Sequence, residues 1–152
     1  MRWLHSAVIA DRMKLLMRTY SELIKLPTLL ERFNYLKLSG EIGCETFGFE
    51  RYLNQNFYRS EIWRRIRNQV IIRDNGCDFG LEDYPIGGRI IVHHMNPVDS
   101  DDIIYQREIL LNPEFLICVG ERTHNALHYG SFDLLPQDLI ERKPNDTCPW
   151  KH

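Results

Sequence analysis

Cysteine is scarce and badly placed for metal: Cys44, Cys77, Cys118 and Cys148 include no C-x-x-C pair, so a cysteine-based zinc ribbon has no ligands here. Reduced, unpaired thiols are the simpler reading, which fits a cytosolic compartment. Cys118, inside an apolar run, reads as a small buried hydrophobe. Long hydrophobic runs are missing too. The stretch Ala7-Val8-Ile9-Ala10 is too short for a signal-peptide core and meets Asp11 and Arg12 at once. Neither export nor a membrane span is expected, and the cytoplasm is the expected location. Nor is there an excess of positive charge. Nineteen Lys and Arg face 21 Asp and Glu, a net charge of -2 with a pI of about 6.3, so no global basic field recruits nucleic acid and any such binding must be local. Internal repeats and low-complexity tracts are absent. What remains, 152 residues of which 43% are hydrophobic, suffices for one ordinary core and leaves no room for a second large domain.

Four of the six histidines fall in two pairs. The first ends the run Arg89-Ile90-Ile91-Val92-His93-His94, whose β-branched residues favour a strand. Alternation along a strand points neighbours to opposite faces, so His93 and His94 cannot do the same job. The second pair lies in Thr123-His124-Asn125-Ala126-Leu127-His128, where a spacing of four on a helix stacks both imidazoles on one face. Two nitrogen ligands then converge, and a third arriving from the strand leaves a bound cation with open positions for water and phosphate. That is a catalytic arrangement, because a structural site is normally closed. Between them, Phe115-Leu116-Ile117-Cys118-Val119 reads as a second strand. The order is therefore strand, insertion, strand, helix. Only Glu121 supplies a carboxylate near either pair, so a site with two bridged metals is not indicated.

The array His93-His94, a hairpin, then His124-x-x-x-His128 resembles the ββα-metal core of the HNH endonuclease superfamily, in the all-histidine version of nuclease colicins. The phrases VHHMNPV, NPEFLICVGERTHNALHYG, ERFNYLKLSG, TFGFERYLNQNFYRSEIW and RDNGCDFG are similar to small HNH nucleases of tailed phages and prophages. The similarity runs from about Met17 to Trp150. It implies an α+β fold with a helical N-terminal portion and a ββα-metal core. Residues 1–16 would be an extension, 17–75 a helical scaffold, 86–130 the core and 131–152 an irregular tail. By the family pattern His94 is the general base, and His93, His124 and His128 hold the metal. The implied activity is metal-dependent hydrolysis of DNA phosphodiesters in a host cytoplasm, with the phage terminase as a partner in packaging. One departure stands out. Family members carry an asparagine nine residues before the first helical histidine, bracing the hairpin, where this chain has Phe115. That brace is missing, supplied by Asn112 through a shifted loop, or replaced by apolar packing of Phe115.

The expected cofactor is one divalent ion, with Mg²⁺, Mn²⁺, Ni²⁺ and Zn²⁺ the candidates. Three neutral imidazoles suit Zn²⁺, Ni²⁺, Co²⁺ or Mn²⁺ better than Mg²⁺, which prefers oxygen. In the alternative, the same histidines hold a structural zinc and the protein is a DNA- or terminase-binding module. His94 separates the two, since a structural site has no use for a base beside the metal.

The rest of the chain reads as scaffold with one local basic patch. From Phe57 to Val70 a helix is expected with Tyr58, Ile62, Ile66 and Val70 on its buried stripe. Arg59, Arg64, Arg65 and Arg67 lie mostly off that stripe, and Arg59, Arg64 and Arg67 are the candidates for DNA-backbone contact. Trp63 is expected in the core. Thr19-x-x-Glu22 and Thr28-x-x-Glu31 have capping-box spacing and announce helices near 20–25 and 29–38, closed by Ser39-Gly40. Gly43 to Gly48 reads as a connection, and Arg51-Tyr52-Leu53 begins another short helix. Asn75-Gly76 marks a turn, with Asp74 and Asp78 bonding turn amides. Asp99 to Tyr105 reads as a short helix capped by Asp or Ser. Trp150 is expected to fold back on the core.

Overall fold

The computed structural model describes residues 17–37 and 49–136. The expectations for residues 1–16, Ser39-Gly40, Gly43 to Gly48, Cys44, Cys148 and Trp150 lie outside these. The fold is α+β, and a two-stranded antiparallel sheet organises it. Strand β1 (Ile90–His94) pairs with β2 (Leu116–Gly120) in the register Ile90↔Gly120, His93↔Ile117 and His94↔Leu116. The ladder runs one step further, with Met95 N donating to Phe115 O at 2.9 Å.

Every residue of β2 is buried, and the pleat divides its side chains between two cores. Ile117 and Val119 join Leu23, Phe33, Leu36, Phe79, Met95, Ala126 and Leu127. Leu116 and Cys118 join Phe57, Trp63, Val70, Val92 and Leu110. A strand covered on both faces reads as a continuous apolar run, which is what Leu116 to Val119 is. Cys118 is fully buried with a free thiol, as expected.

The first core is closed by the N-terminal helices α1 (Tyr20–Leu23) and α2 (Leu29–Leu36). Thr28 and Glu31 form the complete capping box; Thr19 accepts from Glu22 N, which is half of one. The second core is closed by α3 (Phe49–Arg59) and α4 (Glu61–Arg73). Here the single helix expected from Phe57 to Val70 is two. Ser60, with φ -63° and ψ 151°, leaves the helical region and caps α4 by accepting from Trp63 N. That break resets the helical phase. Tyr58 lies across the break on α3 and is exposed; within α4 the buried face follows Trp63 and Val70, seven residues apart, with Ile66 half-buried, and Ile62 falls to the side of it and is exposed.

Between the strands lie α5 (Ser100–Ile104), capped by Asp99 as expected, and α6 (Glu108–Leu111). Helix α7 (Glu121–Tyr129) leaves β2 without a linker and ends at Gly130, whose φ of 62° suits a residue with no Cβ.

Asp74 and Asp78 correct a further expectation. Asn75 and Gly76 do take the left-handed turn conformation, but both carboxylates reach past their own turn to the unpaired edge of β2. Asp74 accepts from Cys118 N at 2.8 Å and Asp78 from Gly120 N at 2.6 Å. Arg73 adds bonds to Leu116 O and Pro113 O at 2.7 Å each, and a 2.7 Å ion pair to Asp74. A two-stranded sheet exposes donors and acceptors on its outer edges, and here side chains satisfy them. Gly120 has no side chain with which to cap α7. Asp78 instead holds the N–H of Gly120 where β2 runs into α7, and a Cβ at Gly120 would sit 3.4 Å from its Oδ2.

Candidate metal centre

His93 leaves β1 on the face that looks toward α7, and it is 8% exposed. His124 and His128 meet it from α7, one turn apart. The ring centroids lie 5.3 Å (His93–His124), 5.5 Å (His93–His128) and 4.4 Å (His124–His128) apart. One nitrogen from each of the three falls within 4.8 Å of the others, a group that could hold a metal ion. The Nε2 atoms of His124 and His128 are 3.1 Å apart. Two nitrogens bound to one tetrahedral ion at about 2.0–2.1 Å each are separated by ~3.3 Å. Among the described residues no carboxylate or thiolate joins the group.

Electrostatics favours the neutral, ligating form. The basicity of His93 is pushed down to about 3, first by burial and then by His124, His128, His94 and Arg18. That of His124 is lowered by burial and by His128. An imidazole without its extra proton offers a lone pair to a cation.

His94 takes the opposite face of β1, as alternation requires, and its surroundings differ in kind. Its ring stacks on Trp63, with centroids 5.3 Å apart and planes inclined by 19°. Tyr58 stands 6.4 Å away. His94 Nε2 lies 3.3 Å from Leu110 O. A carbonyl only accepts, so this contact favours the tautomer with the proton on Nε2 and leaves Nδ1 as the accepting nitrogen. Burial lowers the pKa of His94 to about 4, with the Leu110 contact and Asp102 opposing in part.

All four histidines line one cleft of about 560 Å³. Of the three arginine candidates, Arg67 lines it too, with one guanidinium nitrogen bonded to Ile90 O at 2.9 Å. Arg59 and Arg64 are exposed and do not line the cleft. Arg89 lines the cleft, and sequence reasoning passed over it because it sits alone before a strand rather than in a basic cluster. Asn96 was missed as well. It exchanges bonds with the Arg18 backbone, receiving from N at 2.7 Å and donating to O at 2.8 Å, and so ties the N-terminal segment beside the site.

Asn112 does not reach across the hairpin with its side chain. Asn112 accepts from Glu114 N at 2.9 Å and donates to Glu108 at 2.7 Å, so it is used within its own loop. Phe115 contributes its carbonyl to Met95 and is half-buried. Rigidity at this end comes from Arg73, which holds Pro113 O and Leu116 O together.

No family model, curated protein or solved structure matches the chain.

Proposed function

We propose that this protein is a divalent-metal-dependent endonuclease that hydrolyses DNA phosphodiester bonds, with strand β1, strand β2 and helix α7 serving as a ββα-metal core. One observation carries the reading. A fourth histidine shares the cleft of the three-histidine group without belonging to it, stacked on Trp63 with one ring nitrogen 3.3 Å from Leu110 O. A structural metal site gains nothing from such a neighbour, whereas hydrolysis needs a base.

His93, His124 and His128 would hold the ion, and three neutral imidazoles suit Zn²⁺, Ni²⁺, Co²⁺ or Mn²⁺. Bound there, a divalent ion supplies Lewis-acid stabilisation of the charge that develops on the phosphate and leaving oxygens. The chain's own residues do the rest. His94 Nδ1 takes a proton from water, the water oxygen forms the new bond to phosphorus, and the 3′ oxygen leaves with the bonding pair and is protonated from solvent. Trp63 and Leu110 hold the His94 ring, which removes the cost of orienting it during the reaction. Arg67 and Arg89 offer cations to phosphates along the strand, and they do so locally in a chain whose net charge is negative.

The test is nicking of supercoiled plasmid by metal-stripped protein supplied in turn with Mg²⁺, Mn²⁺, Ni²⁺ and Zn²⁺. Metal-dependent conversion to open circles is expected. Tight zinc binding with no cleavage in any metal would replace the nuclease by a zinc-stabilised binding module.

A further inference from the structure

Beside the four histidines, the cleft is lined by one aromatic ring, Tyr58, that the proposed hydrolysis does not use. Phe57, Tyr58 and Trp63 form an aromatic cluster at the α3–α4 junction, with centroid distances of 5.2 Å (Phe57–Tyr58), 5.3 Å (Phe57–Trp63) and 5.2 Å (Tyr58–Trp63). Phe57 and Trp63 are 8% and 4% exposed, but Tyr58 is 46% exposed and lines the cleft. Its ring meets Phe57 at 71° and Trp63 at 79°, edge-to-face contacts that fix its plane. Ser60 leaves the helical region between Tyr58 at the end of α3 and Trp63 in the first turn of α4, and the two rings meet across that break.

We infer that Tyr58 is a stacking platform for an unpaired nucleobase, so that the cleft takes single-stranded nucleic acid in preference to a closed duplex. This rests on the reading of the cleft as a phosphodiester site and names its substrate class. Three observations point the same way. An immobilised, half-exposed aromatic ring loses little entropy on receiving a base. It stands 6.4 Å from His94, so a base resting on it belongs to a nucleotide at or next to the phosphate under attack. Arg67 and Arg89 line the same cleft and can follow the sugar-phosphate chain that carries the base. In a duplex both faces of each base are already covered by neighbours, and a platform of this kind has nothing to grip until the base is unstacked.

The experiment measures binding without cleavage. Fluorescence anisotropy in chelator compares the full-length protein on labelled oligo-dU, oligo-rU of the same length, and a mixed-sequence duplex. Single strands should bind about 10-fold or more tighter than duplex, and the dU and rU arms, which share a base, show which sugar is accepted. Tyr58→Phe should retain the preference. Tyr58→Leu, which keeps apolar packing without a π face, should lose roughly 5- to 100-fold on single strands and leave duplex binding unchanged. Equal binding of single strand and duplex, or an unaffected Tyr58→Leu variant, overturns the inference. Photo-crosslinking of 5-iodouracil oligonucleotide to the unmodified protein gives a second readout that does not depend on a variant folding: a crosslink at Tyr58 supports the platform, and crosslinks only elsewhere overturn it. The two proposals fail separately. Tyr58-dependent binding without nicking in any metal removes the nuclease, and nicking with a silent Tyr58 removes the platform.

Discussion

Trp63 lies flat against His94 at 5.3 Å, and Leu110 O holds the edge of the same ring at 3.3 Å, so both the plane and the rotation of the imidazole are determined by neighbours. Neither neighbour is near His94 in sequence. His94 therefore stands outside the three-histidine group, held by packing from the other side of β1.

Removing the His94 imidazole should separate chemistry from metal binding. His94→Ala is expected to lower the cleavage rate by about 10²- to 10⁴-fold, the range for a general base. Metal affinity, measured by competition against a chromophoric chelator, should stay near that of the unmodified protein. Cleavage at an unchanged rate would end the assignment of His94 as the base.

The α7 histidines should behave oppositely. His124→Ala or His128→Ala leaves two of the three nitrogens and should lose metal binding and cleavage together. The affinity loss should exceed the roughly 10- to 100-fold that removal of an outer-shell partner costs. Full zinc affinity in both variants would show that the ion sits elsewhere.

Acid should unfold the metal-free protein earlier than a carboxylate-driven transition would. His93 and His94 have pKa values near 3 and 4 in the folded state, against about 6.5 when unfolded. Below pH ~6.5 the unfolded chain binds protons that the folded chain refuses, so stability falls as pH falls, by on the order of 1.4 kcal/mol per unit for each histidine. The loss from His94 ends near pH 4 and that from His93 near pH 3. Urea midpoints between pH 7.5 and 4.5 should drop, and His94→Gln should reduce the slope. A flat profile over that interval would contradict the buried, neutral histidines.

Asp74 should matter for stability and not for chemistry. Its side chain is fully buried between Arg73 and Cys118 N. Asp74→Ala removes the acceptor of the buried Cys118 amide and the carboxylate partner of Arg73, which keeps its bonds to Pro113 O and Leu116 O, and the expected loss is about 3 kcal/mol. Thermal unfolding should show a clear drop in midpoint, with metal affinity retained below the transition. A change under about 1 kcal/mol would mean that water replaces the carboxylate without cost.

The three-histidine group was legible because its spacing is local. A separation of four in His124-x-x-x-His128 makes a helix face, and adjacency in His93-His94 makes two strand faces; both geometries follow from backbone periodicity. The strands, α7 and the Thr28 cap were readable for the same reason. The α3–α4 break was less so. Ser60 is an N-cap in a stretch that also satisfies helical periodicity, and periodicity alone does not choose between a capped start and a helix interior.

Other features joined residues too far apart for any pattern to report. The carboxylates of Asp74 and Asp78 cap β2 amides 44 and 42 positions away, and Asn96 holds Arg18 across 78. Trp63 was expected in the core, and it is there, but only packing decides that its face is spent on His94. The sequence alone determined which histidines share a face, because short-range backbone geometry sets that. Tertiary structure decided that the two pairs open into one cleft, with an arginine-lined wall and Tyr58 at its edge, because only the closing of α4 and α7 over opposite faces of a two-stranded sheet brings them together.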